Sequence, residues 1–361
     1  MKAAVLTSIP GELSVEDVTI DKPQRNEVLI RTVAAGLCHS DLHFMEGKYP
    51  YPCPTVPGHE SAGVVEAVGE DVTYVQPGDH VITCLSVFCG HCEYCLNGRT
   101  NLCSGKMSTN RGFDGTPRLS LNGQPVFQFL DLSSFGEYML VHQNAVAKIT
   151  KDIPLDRAAL IGCSVTTGVG AVFNTARVQA GSTVAVIGCG GVGLNCVQGA
   201  ALAGASRVIA VDMVPLKLKL AEQFGATDLV DASKGDAVQQ VQSLTDGGVD
   251  YSFEAIGLKQ TAEQAWQMLK NGGTATVIGM IPVGTMVELH GVDFLFEKKI
   301  QGSNMGSNHF KNDMPRFVDM YLQGRLKLDE LLSARIKLED ANKGFEAMKA
   351  GEVARSVIIF D

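Results

Sequence analysis

The stretch Thr183-Val184-Ala185-Val186-Ile187-Gly188-Cys189-Gly190-Gly191-Val192-Gly193-Leu194-Asn195-Cys196-Val197 decides the fold. Its apolar first five residues predict a buried strand, the glycines a tight turn, and Val192–Leu202 a helix. In that setting Gly188, Gly190 and Gly193 form the G-x-G-x-x-G of a dinucleotide fingerprint, with Gly191 and Val192 completing the loop. Glycine is needed there for the turn, for close approach of a pyrophosphate, and for packing of helix on strand. Asp212 ends the next apolar strand, 19 residues past Gly193, where a carboxylate binds ribose hydroxyls. That carboxylate would repel a 2′-phosphate, and Met213-Val214-Pro215 supplies no Arg, so the expected cofactor is NAD rather than NADP. The plainer alternative is a glycine-rich helix start with no nucleotide.

Outward from this unit the pattern continues. Strands at Thr183–Ile187, Arg207–Asp212, Leu229–Asp231, Val249–Ala255 and Thr274–Gly279 alternate with helices at Pro215–Phe224, Asp236–Leu244 and Lys259–Lys270. Such alternation predicts a parallel sheet covered on both faces. Beyond Phe294 the alternation stops, and Pro315–Leu326 and Leu338–Ala350 are expected as surface helices. Before residue 150 the chain has short β-branched strands, Val28–Val33, Ser61–Val68 and His80–Ile82, with a turn at Gln76–Asp79. The fold class is therefore α/β and β: a β-rich module at 1–153, a doubly wound parallel-sheet domain at 154–303, and a return at 304–361. The last segment ends in the strand Ser356–Phe360, which should pair with the first module.

Composition excludes several functions. The 361 residues are 45% hydrophobic and 19% charged, an ordinary globular balance. Thirty basic against 39 acidic residues leave a net charge of −9 with no Lys/Arg run, so no nucleic acid is expected as a partner. The N-terminus carries no apolar h-region of an export signal. The uncharged stretch Val178–Ser206 holds Gly188, Gly190, Gly191, Gly193, Gly199 and Gly204 with Gln179, Asn195 and Gln198, which fits a strand-turn-helix unit better than a membrane span. A cytoplasmic protein is expected, and its 10 cysteines are then metal ligands or reactive groups rather than a disulfide framework.

Their spacing is specific. Cys89, Cys92, Cys95 and Cys103 follow C-x2-C-x2-C-x7-C, a set that can close one tetrahedral structural zinc. An iron–sulfur cluster uses similar spacings, and four unrelated buried cysteines are the bland alternative. Cys38, His59 and Cys163 each sit in a Gly- or Pro-flanked loop and would suit an open, catalytic zinc site. Spacing does not single these three out, because a lone Cys or His is more often a core residue.

The chain resembles the zinc-containing alcohol dehydrogenases of the medium-chain dehydrogenase/reductase superfamily over essentially its whole length. The most specific segment is Gly58-His59-Glu60 followed by Gly63, Gly69 and Val72, which matches the family's G-H-E-x2-G-x5-G-x2-V. Gly36–His43 resembles its first-ligand loop, and the four-Cys loop, Gly162-Cys163 and the glycine fingerprint occur in the family's order. The resemblance implies a GroES-like catalytic domain, a Rossmann cofactor domain, NAD, and two zinc ions per chain.

It also implies roles. Cys38, His59 and Cys163 would hold the catalytic zinc, with Asp41 bonded to the His59 ring and Glu60 beside the metal. Ser40 would take the alcohol proton and His43 would pass it to solvent. His39 and Arg355 would lie near the pyrophosphate, Lys217 by the adenosine ribose and Thr167 by the nicotinamide. For His39 and His43 the alternative is a surface histidine without a role. Cys53, Cys84, Cys189 and Cys196 are expected as small packing residues.

Ser40, Leu85, Phe129 and Leu130 would line the substrate pocket, a surface suited to an apolar aliphatic or aromatic primary alcohol or its aldehyde. The long stretch Ser104–Phe135 resembles animal-type and glutathione-dependent class III forms, which are usually dimers, whereas shorter bacterial forms are tetramers. Class III enzymes carry an Arg soon after the last structural Cys; here Met107 stands there, with Lys106 and Arg111 near. Their acidic residue beyond the first-ligand loop is also unmatched in Gly47-Lys48-Tyr49-Pro50. Thiol-dependent oxidation of an S-hydroxymethyl adduct, or S-nitrosothiol reduction, is the alternative activity. A non-catalytic metal- and nucleotide-binding protein is the alternative from another class, and none of the losses that would favour it is present.

Overall fold

The computed structural model describes residues 1–105 and 117–361. Lys106, Met107 and Arg111 therefore lie outside the described residues. The chain forms two compact units, one of Met1–Cys163 with His309–Asp361, the other of Ser164–Asn308.

The second unit carries a six-stranded, wholly parallel sheet. Its order is Asp228–Asp231, Arg207–Asp212, Thr183–Ile187, Val249–Glu254, Leu269–Val277 and Lys299–Gly302. Along the chain this is 3-2-1-4-5-6, the Rossmann arrangement, with the reversal of direction between Thr183–Ile187 and Val249–Glu254. Val184, Ala185 and Val186 are fully buried because helices cover both faces. Gly188 has φ +93°, which a side chain would resist. A Cβ on Gly193 would lie 1.6 Å from the Gly188 carbonyl oxygen, so only glycine lets the helix Gly191–Leu202 start this close to the strand. At Gly190, the N-cap, a Cβ would meet nothing within 4 Å, and that side of the turn is open.

In the first unit a seven-stranded sheet runs Val146–Ile149, His80–Thr83, Glu60–Val68, Glu27–Gly36, Arg355–Ile359 and Leu332–Ile336, with Tyr138–His142 also paired to Glu27–Gly36. A second, six-stranded sheet packs its inner residues, among them Ala4, Leu6, Val56 and Val126, into a core with Leu37, Phe135 and Phe345. The terminal strand joins antiparallel to Glu27–Gly36 through Val357↔Gly36, so the chain's end completes the unit in which it began. Mixed sheets here and a parallel sheet in the second unit confirm the expected fold class.

Several elements differ from their sequence expectation, three of them for a clear physical reason. The strand Lys299–Gly302, too short and charged to stand out, adds an outer edge to the parallel sheet. Helix Lys259–Gln267 ends early because strand pairing resumes at Leu269. Helix Phe310–Leu322 begins five residues before Pro315. The Asp313 carboxylate accepts a 2.8 Å bond from the His309 N–H and caps that earlier start, leaving the proline inside the helix.

Among the described residues one helix, Leu155–Ala176, is long and apolar enough to cross a membrane, but 83% of its most apolar stretch is buried within the protein, as in a core helix. Cys84, Cys189 and Cys196 are buried packing residues as expected, whereas Cys53 is only partly buried.

Candidate active site

Strand register assembles the first ligand set. Glu27–Gly36 ends two residues before Cys38, Glu60–Val68 begins one residue after His59, and Gly36 pairs with Glu60. The two loops therefore leave the sheet side by side. The third member arrives on the helix Leu155–Ala176, which approaches so closely that a Cβ on Gly162 would lie 3.0 Å from the Thr83 carbonyl and 3.2 Å from the Ser61 nitrogen. Cys163 sits within a π-helical turn, Ile161–Val165, a feature frequent at functional sites.

The donor atoms of Cys38, His59 and Cys163 lie within 4.8 Å of one another, and all three residues are buried. Cys163 Sγ stands 3.3 Å from His59 Nε2. Tetrahedral zinc with bonds of about 2.3 Å to sulfur and 2.0 Å to nitrogen sets such a pair about 3.5 Å apart, so the set fits the ion. Asp41 orders this arrangement. Its Oδ1 lies 2.9 Å from His59 Nδ1 and accepts the Gly58 N–H at 3.1 Å, while Oδ2 accepts the Cys38 N–H at 3.2 Å. With Nδ1 engaged, Nε2 is the nitrogen left to face a metal.

Charge is managed nearby. The Cys163 hydrogen bond, with Arg355 and His59 adding their charges, holds the Cys38 thiol well below its ordinary value against the opposing effect of burial. Burial raises the Asp41 carboxyl, and His59 offsets part of that rise. Arg355 is 3% exposed, donates from Nη1 to the Leu37 carbonyl at 2.8 Å, and has Nη2 3.8 Å from the Glu60 carboxylate. The sequence placed Arg355 toward a pyrophosphate; within its unit the guanidinium lies beside the ligand set.

Ser40 Oγ is 3.7 Å from Cys38 Sγ, on the helix His39–Met45 whose N-cap is Cys38. His39 is exposed. His43, one turn on from Ser40, has its pKa lowered, first by burial and then by Lys48, and its Nδ1 has no hydrogen-bond partner. Phe129 is 1% exposed and its ring centroid is 6.2 Å from that of His59. Leu130 follows it, and Leu85 is partly buried against a core with Val28, Val81 and Val87.

The sequence missed the aromatic group around Phe129. Phe44 and Tyr51 each set a ring centroid 4.9 Å from it, and Tyr49 stands 5.6 Å from Phe44. The Tyr49-Pro50-Tyr51-Pro52 run was the available signal.

The four-Cys loop brings its thiols together as a second set within 4.8 Å. Cys89 to Cys95, Cys92 to Cys95 and Cys92 to Cys103 are 3.9, 3.5 and 3.8 Å between sulfurs. A tetrahedron with metal–sulfur bonds of about 2.3 Å has edges of about 3.8 Å, so one ion fits. Disulfides would be far shorter, and a four-iron cluster would spread the sulfurs over separate irons. Backbone hydrogen bonding, first from Cys95, pulls the Cys92 thiol down to about 5, while burial pushes Cys95 up to about 12.

The remaining predicted residues, Thr167, Gly188, Gly190, Gly191, Val192, Gly193, Asp212 and Lys217, belong to the second unit. Asp212 ends its strand with its carboxylate fixed by the Cys189 N–H at 2.7 Å and the Val214 N–H at 2.9 Å. Thr167 is 7% exposed and Lys217 lies on helix Pro215–Gln223. The sequence passed over Glu254, at the end of the strand beside the reversal. Its buried Oε1 accepts from the Ile256 and Gly257 N–H groups and from Thr261 Oγ1, at 2.9, 2.7 and 2.8 Å, and so fixes the loop next to the glycine turn.

A Rossmann sheet, a closed four-thiolate set and a three-ligand Cys-His-Cys set define a zinc-binding dehydrogenase. The alcohol dehydrogenase GroES-like domain family matches residues 24–151, and the zinc-binding dehydrogenase family matches residues 191–323. The chain is 40% identical to the class-3 alcohol dehydrogenase of Oryza sativa subsp. japonica over 371 residues, covering 100% of this chain and 97% of the relative. It is 38% identical to the S-(hydroxymethyl)glutathione dehydrogenase of Paracoccus denitrificans over 372 residues, covering 99% of each. The crystal structure of benzyl alcohol dehydrogenase from Acinetobacter calcoaceticus superposes with a TM-score of 0.95 at 34% identity, covering 100% of this chain and 99% of that one. The chain belongs to the zinc-dependent alcohol dehydrogenase family and is an oxidoreductase of that family.

Proposed function

We propose that the protein transfers a hydride between an apolar primary alcohol, aliphatic or aromatic, and NAD. The observation that carries this is the Cys38–His59–Cys163 set, one ligand short of a closed tetrahedron, with the Ser40 hydroxyl beside it. Zinc bound by these three supplies a Lewis acid that lowers the pKa of a substrate hydroxyl. NAD bound at Gly188–Gly193 and Asp212 supplies the hydride acceptor.

The chain's own residues do the rest. Asp41 fixes the His59 ring, and Glu60 with Arg355 sets the charge behind the ligands. Ser40 accepts the alcohol proton and His43 delivers it to solvent; burial keeps His43 neutral and able to receive it. Leu85, Phe129 and Leu130 exclude water from an apolar substrate and offer no charge to a carboxylate. His39, Thr167 and Lys217 complete the hold on the cofactor, and the Asp212 carboxylate selects NAD over its 2′-phosphate. We assign the four-Cys loop a structural zinc. The active form is a cytoplasmic homodimer, a second copy covering the apolar segment that follows Met280.

A second reading rests on the relatives named for S-(hydroxymethyl)glutathione. It would need a cation for the thiol's carboxylate, which Lys106 or Arg111 would provide. Purified protein with NAD is given straight-chain and benzylic alcohols in one reaction, and formaldehyde with glutathione in another. NADH formed with alcohols alone supports the first reading; NADH formed only with the thiol replaces it by the second. Zinc-replete protein silent in both refutes the two together.

A further inference from the structure

We propose that Tyr51 is a specificity-determining residue: its hydroxyl clamps the left-handed turn that carries Phe129 and Leu130, and its ring completes an aromatic enclosure suited to benzylic alcohols. The proposal rests on the preceding reading that Cys38, His59 and Cys163 hold the reacting centre.

The turn is unusual for the residues it contains. Leu130, Asp131 and Ser133 have φ of 49°, 64° and 61°, a region that side-chain-bearing residues rarely occupy and that a bulky leucine resists. Something must hold them there. One phenol oxygen does so on both sides of Phe129. Tyr51 donates to the Gln128 carbonyl at 2.8 Å and accepts the Leu130 N–H at 3.0 Å. Ser133 Oγ accepts the Phe129 N–H at 2.8 Å and closes the turn from within. Beyond it, the Ser134 and Phe135 N–H groups bond to the Gly58 and Pro57 carbonyls, each at 3.0 Å, so the turn is continuous with the segment that carries His59. Burial pushes the Tyr51 phenol up to about 12, so the hydroxyl keeps its proton at any assay pH.

The ring matters as well as the hydroxyl. Tyr51 and Phe44 meet Phe129 at 62° and 83° between ring planes, both edge-on, and meet each other at 87° with centroids 5.7 Å apart. Phe129 is thereby fixed in backbone and in ring orientation 6.2 Å from His59. A benzylic ring can add to such a group by the same edge-to-face contacts, whereas an alkyl chain gains only area.

Tyr51→Phe removes the hydroxyl and keeps the ring; Tyr51→Leu removes both. With Tyr51→Phe, the KM for benzyl alcohol should rise about tenfold relative to that for 1-propanol, the effect falling on KM rather than kcat. Backbone hydrogen exchange over residues 129–133 should quicken in the same variant, with zinc content unchanged. Tyr51→Leu should raise the benzyl-to-propanol KM ratio further. An unchanged KM ratio in Tyr51→Phe, or unchanged exchange at Leu130, overturns the clamp. Native protein that oxidises neither alcohol overturns the reading of the preceding section and the substrate class with it, and the exchange comparison then decides the clamp alone.

Discussion

Asp41 accepts three contacts with two oxygens, from His59, Gly58 and Cys38, so it ties two ligand loops together before any metal arrives. Asp41→Asn keeps the shape but turns an NH2 group toward one of the donors. Loss of such an outer partner typically weakens metal affinity by about 10–100-fold. Zinc competition against a chromophoric chelator should show that loss, with the far-ultraviolet circular dichroism unchanged; native-like affinity would mean the loops position themselves. Gly193→Ala is a harsher test, since the new Cβ would sit 1.6 Å from a backbone oxygen that cannot move aside cheaply. NADH binding by fluorescence should fall more than about tenfold, because helix and turn must separate to admit the methyl. Gly193 was legible because its place in the glycine fingerprint carries its meaning, whereas Asp41 was suggested only by the family resemblance. Tyr51 was not, since its importance depends on which carbonyl and N–H a loop brings to it, and no periodicity encodes that.

Among elements, the strands and the glycine turn were readable from β-branched runs and breakers, while their exact ends depended on neighbours. Helix Phe310–Leu322 is an instance: Pro315 marks a helix start in sequence, but a local cap, the Asp313 carboxylate accepting from the His309 N–H four residues earlier, moved that start back. The same helix carries Lys311, whose ammonium lies 4.1 Å over the Tyr74 ring and donates to Asn144 Oδ1 at 3.0 Å. No carboxylate pairs with it among the described residues, and burial lowers its pKa to about 8. Below about pH 8 both folded and unfolded chains hold this proton, and the folded state bears the full cost of a buried charge. Between about 8 and 10.5 only the unfolded chain holds it, so its contribution makes stability rise with pH until the cost is gone. Lys311→Met should therefore gain about 1 kcal/mol at pH 7, discounted for partial exposure, and gain nothing at pH 10. Urea denaturation of both proteins at the two pH values checks this, and a variant less stable at pH 7 would show that the Tyr74 and Asn144 contacts outweigh burial. The four-Cys loop depends on its ion differently. Its helical pieces, Glu93–Leu96 and Thr100–Leu102, are only 4 and 3 residues long, and Leu96 is 74% exposed, so little but the metal can order it. Cys95→Ser should make limited proteolysis cut between residues 89 and 105 first, where the native protein resists.

At the scale of the whole molecule, the second unit leaves an apolar segment uncovered. Val283, Met286, Val292, Phe294, Leu295 and Phe296 are between 47% and 81% exposed. The segment leads directly into Lys299–Gly302, the outermost strand of the parallel sheet, whose far edge has no partner strand among the described residues. An open edge beside exposed aromatic and aliphatic side chains is what soluble proteins ordinarily cover. The net charge of −9 makes two copies repel, so the proposed dimer would have to be held by apolar burial and should survive high salt. In the sequence this exposed edge was not legible, and a dimer was suggested only by resemblance, because the strand at 299 is too short to announce itself and exposure is not a property of residue type. Leu295, 81% exposed, is the least embedded of the group and can be changed without disturbing the core. If the proposed dimer forms through this segment, Leu295→Asp should shift it to monomer in analytical ultracentrifugation and remove the concentration dependence of melting temperature expected of a dimer. A native protein that sediments as a monomer at every concentration would remove the dimer from the proposed function and leave the apolar segment to another partner.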